Sequence, residues 1–483
     1  MARYWTWIAV MAAVALLGSQ LARWIAFSML PQAPPDRYHG FIVGLSLPIP
    51  VVQVAPHWYA IITMWCVFAA LAICGWQAAR AVAGWQRETI VPVFAGYLIV
   101  ALALTFFSIT LSIDGYYYVF FARLFGVYGV NPYVLVSPIT INDGIFAQEF
   151  PLLHNPPFPD PYGPGFTLLA GLIGKLESGA SLWAQLWTWR CMSVAACALI
   201  LAAVARIVKK IAPQERARRV AIVAFHPLTL YESAAGGHND FLMVAATAWS
   251  FALVDELPLI AGLLLGAAIA IKYFAAILLP FIALRAARKS VVAAAIVVVL
   301  AVLVPVLCFH PFAFGTVGQA TMAKVGSSLS MSLNWLLALP LFALKASDSV
   351  VRSVQFAILT AFALVTLTAI VRYARTLCNA DMFRSITALL WSLPALHPWY
   401  SAWLVPVCAA RGAWAAYAWW FSALSLLVYA HEAVLPTPFN HAIFVVLTLA
   451  LLIAPIALAR VGTRSVPSIC GQANMPGEEG TRA

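Results

Sequence analysis

Residues 112–167 read SIDGYYYVFFARLFGVYGVNPYVLVSPITINDGIFAQEFPLLHNPPFPDPYGPGFT. The stretch opens with an acid, Asp114, at the end of an apolar run. An aromatic, one-sided segment follows (116–128), then Asn131-Pro132-Tyr133. A proline-rich loop then closes on Tyr162-Gly163-Pro164. In lipid, every backbone polar group must be satisfied within a helix or a closed barrel, and a stretch this rich in proline and turn residues offers neither. It therefore reads as a folded loop on one face of a membrane, with the apolar runs on either side arranged around it.

Composition agrees. The chain has 483 residues, 63% of them apolar and only 9% charged, with mean hydropathy +0.91. A soluble globular chain is about 25% charged. Apolar runs recur along its length, which predicts an all-α polytopic membrane protein of roughly 11 to 13 transmembrane helices. The net charge of +11 would suggest nucleic acid as a partner in a soluble protein. Here Lys and Arg gather in short loops between spans, so no nucleic acid is expected. The eight cysteines include no Cys-x-x-Cys pair, so neither a metal ribbon nor a disulfide framework is indicated.

Outward from the loop, apolar runs predict spans over 4–27, 58–77 and 90–113 before it, the first retained rather than cleaved. After it, 166–176 is too short to cross a core that needs about 20 residues, and is read as an interfacial or re-entrant helix. Spans are expected over 182–207, 220–233, 241–253, 291–308, 350–370, 385–396, 413–430 and 442–458, with an interfacial helix over 332–344. The run 257–284 carries Lys272 at its middle. A lone lysine there costs roughly 3 kcal/mol, so the run is read as two half-length helices forming a hairpin. The domain organisation is one membrane domain over 1–460, with an outer loop over 114–177 and a disordered tail over 461–483 on the cytoplasmic side.

Orientation follows from the basic loops. With the N-terminus inside, Arg80, Arg87, Lys209, Lys210, Arg216, Arg218, Arg219, Arg285, Arg288, Lys289, Arg372 and Arg375 all fall in the cytoplasm. Asp114, Arg123, Asn131, Tyr162, His238, Asn239, Asp240, His310, His397, Trp399, Tyr400, His431 and Glu432 then fall at outer ends of spans. Polar groups at membrane depth are costly unless they line a wet cavity, so this convergence predicts one extracytoplasmic pocket. Asp114 is either a helix cap or a general base at the mouth of that pocket. Asn131-Pro132-Tyr133 and Tyr162-Gly163-Pro164 are turn signals as well as candidate site elements. Asn239 or Asp240 could cap the helix that follows. Lys272 either snorkels or meets a phosphate. No metal set is legible, since one His and one Asp are too few ligands.

In order, the motifs are Asp114, aromatic-x-x-Arg ending at Arg123, Gly129-x-Asn131-Pro132-Tyr133, Tyr162-Gly163-Pro164, Gly237-His238-Asn239-Asp240, Lys272 in a small-residue half-helix, and Pro398-Trp399-Tyr400-x-x-Trp403. This order resembles the integral-membrane glycosyltransferases of the GT-C superfamily. The closest resemblance is to the bacterial polyprenyl-phosphate-mannose-dependent mannosyltransferases and the related DUF2029 (GT87-like) proteins, over about 90–411. The resemblance implies Asp114 as catalytic base. Arg123, Asn131 and Tyr133 would shape the loop, and Tyr162 would stand at the entry to its second interfacial helix. His238, Asn239 and Asp240 would face the cavity, and Lys272 would lie near the donor phosphate. His397, Trp399 and Tyr400 form the late aromatic motif, and Tyr117 joins the aromatics available to a sugar. His431 and Glu432 complete the expected substrate-binding set. The implied partners are a polyprenyl-phosphate sugar donor, a lipid or glycan acceptor and membrane lipids; the implied place is the plasma membrane with the site outside. Many GT-C enzymes carry two acids in this loop, whereas Gly115 follows Asp114 here. That departure implies an inverting displacement without metal or other cofactor. A lipid-sugar transporter or flippase and an O-antigen-ligase-like transferase are the rival readings.

Overall fold

The computed structural model describes residues 1–29, 58–83, 85, 90–106, 114–134, 141–149, 158–312, 315–320, 344–377, 379–393 and 397–404, with isolated positions between 337 and 341. Among these residues every regular element is helical. Helices α1 (Ala2–Met29), α2 (Trp58–Ala81) and α3 (Val91–Thr105) precede the loop. The loop contributes α4 (Asp114–Gly126), α5 (Gly144–Glu149) and α6 (Pro164–Leu176). There follow α7 (Leu182–Ile211), α8 (Arg216–Ala224), α9 (Pro227–Tyr231), α10 (Asp240–Leu253), α11 (Pro258–Ile271), α12 (Leu279–Ala287), α13 (Val291–Phe309), α14 (Asp348–Thr376) and α15 (Asn379–Ser392). Three described helices are long and apolar enough to cross a membrane: Leu182–Ile211, Val291–Phe309 and Ser349–Thr376. Shorter apolar helices pack among them. The expected spans over 413–430 and 442–458, the tail, His431 and Glu432 lie outside the described residues.

Helix starts follow local chemistry. Ser181 caps α7 by accepting from the Ala184 N–H, and Ser290 caps α13 by accepting from Val292. The expected single span 220–233 is broken in two. Pro227 cannot continue α8 and opens α9, and His226 accepts from the Leu228 N–H to cap it. The run around Lys272 turns back as expected. α11 ends at Ile271, Lys272 is extended, and a 3-10 turn over Tyr273–Leu278 leads into α12. By Arg285 the chain has returned to Asp255, which precedes α11, and the two side chains pair at 2.5 Å.

A main apolar core joins α1, α2, α3, α7, α8, α10, α11 and α12. The loop has its own core, built from Tyr116 to Leu124 of α4 with Phe146, Phe166 and Trp189. Two buried polar knots hold it. Arg123 donates to Asp143 at 2.6 and 2.9 Å and to the Ser178 carbonyl, while Tyr128 donates to Asp143 at 2.5 Å. The Tyr133 hydroxyl meets Thr167 at 2.6 Å and donates to the Tyr162 carbonyl, and Thr167 donates to Asp160. The opposite end of α7, α10 and α12 carries the basic pairs Arg206 and Lys210 with Glu256, and Arg285 with Asp255. Along α10 that end lies about 20 Å from Asp240.

Candidate active site

Four segments besides α4 bring side chains to one place. The first is a single π turn, Glu232–Gly236, followed by Gly237 at φ +66°. The left-handed backbone there favours glycine, and a Cβ would stand 3.1 Å from the Arg190 side chain, a tight approach. The turn buries His238 completely, with Nε2 3.0 Å from Glu232 and Nδ1 3.5 Å from Asp114. The imidazole stacks on Trp399 at 4.1 Å, and Ser193 donates to the His238 carbonyl. Burial opposes protonation of His238, but Glu232 and then Asp114 outweigh it and raise its pKa to about 9.

Asn239 and Asp240 do not serve as the side-chain caps the sequence allows. The backbone of Asn239 occupies the cap position without a side-chain cap bond. Its Oδ1 accepts instead from the Tyr118 hydroxyl at 3.2 Å. Asp240 accepts from Lys272 Nζ at 2.6 Å and from Trp403 Nε1 at 2.7 Å, so both of its oxygens have charged or polar partners.

Lys272 reaches this place because Tyr162-Gly163-Pro164 is joined to the end of α11. The Gly163 N–H donates to the Ile271 carbonyl at 3.0 Å, satisfying an orphan group of the helix end. A Cβ at Gly163 would stand 2.1 Å from the Ala270 carbonyl oxygen, so only glycine permits the approach. Lys272 Nζ consequently lies 5.3 Å from the Tyr162 ring centre and 5.4 Å from that of Tyr400. Asp114, the first residue of α4, keeps 22% of its side chain exposed and accepts from the Tyr162 hydroxyl at 3.4 Å. Its exposure sets it apart from Glu232, His238 and Asp240, which are fully buried. His397 stacks on Trp399 at 4.5 Å.

Asp114, Tyr162, His238, Asn239, Asp240, Lys272, His397, Trp399 and Tyr400 thus meet. Other expected site residues do not. Arg123 is engaged by Asp143 in the loop knot. Tyr117 packs on Phe158 at 4.1 Å within the loop core. The tyrosine that joins the cluster is Tyr118, four residues after Asp114 and so on the same helical face. Asn131 makes an Asx turn to the Tyr133 N–H, and both residues shape the strap behind Tyr162. Sequence reasoning passed over Glu232 and Asp160. Glu232 had a signal, being a carboxylate inside an apolar run, where an ionisable group is costly. Asp160 sits among prolines and reads as loop. Burial lifts its pKa to about 7, against donation from the Tyr162 N–H and Thr167.

Beyond Trp403 lies a small, mainly apolar pocket, lined by Ile207, Thr247, Phe251, Leu278, Ile282, Asn379, Met382, Ile386 and Trp403 among others. Among the described residues, no three His, Cys, Asp or Glu side chains form a metal-binding group.

An all-helical membrane-type fold with an acid, a buried lysine and stacked aromatics around one loop strap has the character of an enzyme site. The chain matches the family described as alpha-(1->6)-mannopyranosyltransferase, N-terminal domain (MptA/B), over residues 22–288, more than half its length. The protein belongs to this family of alpha-mannosyltransferases, and a glycosyltransferase class takes precedence over the transporter reading. No individual curated protein matches the chain.

Proposed function

We propose that the protein transfers mannose from a polyprenyl-phosphate donor to a lipid or glycan hydroxyl on the extracytoplasmic face of the plasma membrane, with Asp114 as general base. The observation that carries this reading is the meeting of Asp114, the partly exposed acid, with Lys272 and the rings of Tyr162, Trp399 and Tyr400. The acceptor oxygen attacks the anomeric carbon, its proton passes to Asp114, and the bond to the phosphate breaks with the electron pair leaving on phosphate. Lys272, steadied by Asp240, offsets the departing charge. A single inverting displacement that forms the α linkage of the family's description requires a β-linked phosphosugar.

The basic pairs at the far end of α7, α10 and α12 support the orientation, because they would lie on the cytoplasmic side when the cluster faces out.

The test is transfer by the purified protein from radiolabelled polyprenyl-phosphate mannose to candidate acceptors, with nucleotide-activated mannose as control. Only the lipid-linked donor should serve. Asp114→Asn, correctly inserted, should lose about a hundredfold or more. Full transfer by that variant would overturn the base assignment, and use of the nucleotide sugar would overturn the donor.

A further inference from the structure

We propose that Glu232 and His238 form a buried charge pair that holds Asp114 in its carboxylate form, making both of them positioning residues for proton transfer from the acceptor. The inference rests on the reading of Asp114 as base and assigns a role to two residues that reading does not use.

His238 is wholly buried, and a buried imidazole without a charged partner favours its neutral form. It is flanked instead on both nitrogens by carboxylates, Glu232 at 3.0 Å and Asp114 at 3.5 Å. Glu232 is also wholly buried, and neither of its oxygens meets a hydrogen-bond donor of good geometry. Its nearest cation is the imidazole. Burial pushes the Glu232 carboxyl up, against the pull of the imidazole 3.0 Å away; a carboxylate kept here costs stability, and an apolar residue of similar size would cost less. The arrangement makes sense if Glu232 serves to keep His238 cationic, and the imidazolium in turn favours the charged form of Asp114.

The surrounding groups leave this balance in place. Asp114 is faced by the Tyr162 hydroxyl and His238, with Tyr118 and Tyr400 feeling its charge. Asp240, which Glu232 also feels, is neutralised by Lys272. Arg190 lies on the other side of Gly237 and donates to the Thr105 carbonyl. Trp399 covers the imidazole face. The imidazolium carries its proton throughout. The acceptor's proton moves to Asp114 and leaves from its exposed edge to water between turnovers, so His238 is not the proton store.

The experiment is the pH–rate profile of transfer for the wild type, Glu232→Gln and His238→Asn. Removing the cation should raise the acid limb by about one pH unit or more in both variants, while the rate on the plateau above it falls by less than about tenfold. Infrared spectra should show the protonated-carboxyl band that Asp114→Asn removes persisting to higher pH in His238→Asn, which also serves if Glu232→Gln does not fold. A limb and a band that stay in place while the rate falls at every pH would overturn the proposal and leave the pair structural. An active Asp114→Asn would instead overturn the underlying reading. An inactive Asp114→Asn with an unmoved limb would sink this inference alone.

Discussion

The loop that carries α4 to α6 and the cluster beside it use the same kinds of residue to opposite ends. In the loop knots, Arg123 with Asp143 and Tyr133 with Thr167 and Asp160, the buried polar side chains find partners within the protein. In the cluster, both nitrogens of His238, both oxygens of Glu232 and the Asn239 amide nitrogen lack a well-formed hydrogen bond. Satisfied polar groups rigidify, whereas unsatisfied ones are kept for something that arrives later or for a charge that must be held. Arg123 and Lys272 look alike in sequence, each a cation near an aromatic segment. Each pairs with a buried aspartate at 2.6 Å, so their place separates them: Arg123 fastens the loop, whereas Lys272 stands beside the rings of Tyr162 and Tyr400.

The contrast breaks most visibly at Lys272. Lys272→Met leaves Asp240 buried with only the Trp403 donor, which costs about 3–5 kcal/mol. Transfer should fall by two orders of magnitude or more at every temperature, measured as initial rate in detergent, with the loop still protected from protease. Arg123→Met removes the counter-charge of Asp143 but leaves it the Tyr128 hydroxyl and the Ile145 N–H, so the cost is smaller and should fall on the loop. Backbone amides of 144–149 should exchange faster with deuterium, and transfer should recover substantially on cooling, which Lys272→Met should not do.

A smaller, graded effect comes from Asp160. Its folded pKa of about 7 lies above the ordinary aspartate value of 3.8. The opened loop therefore sheds this proton at lower pH than the closed loop does. Closing is fully favoured below about pH 4, weakens by up to about 1.4 kcal/mol per pH unit as pH rises toward 7, and is level above that. Exchange of the Tyr162 amide, which Asp160 accepts, should speed up by as much as about tenfold per pH unit in that window, beyond the intrinsic rate. Asp160→Asn should flatten this excess.

Much of the architecture was open to reading because bilayer physics leaves few choices. Proline and turn residues over 112–167 could only be a loop, and a lysine amid 257–284 could only mark a break. The same cost of burying charge puts His238 and Asp240 on one face, whereas Lys272 joins them only through the family resemblance. What sequence could not reveal was direction. Tyr117 and Tyr118 differ by one position, about 100° around α4, and composition does not say which faces the cavity. Arg123 and Asp143 are twenty residues apart across a loop whose path no periodicity encodes. Glu232 was visible as an acid in an apolar run, yet its meaning depends on the π turn that sets it behind His238.

Trp403 tests the comparison at its finest grain. Its indole N–H donates to one oxygen of Asp240 while Lys272 occupies the other, and the same ring walls the apolar cavity. Trp403→Phe keeps most of the wall and removes the donor, leaving a carboxylate that is still neutralised. The loss of one hydrogen bond to a charged group is worth about 1.5–3 kcal/mol at most, so transfer should fall between several-fold and about a hundredfold, less than in Lys272→Met. If Trp403 acts only through Asp240, the double variant Trp403→Phe with Asp240→Asn should be no slower than Asp240→Asn alone. If the indole also guides the donor's tail, shortening the tail should cost Trp403→Phe less than it costs the wild type. A Trp403→Phe variant as slow as Lys272→Met would mean that Asp240, rather than the lysine, carries the essential charge, and the division between fastening and serving residues would have to be redrawn there.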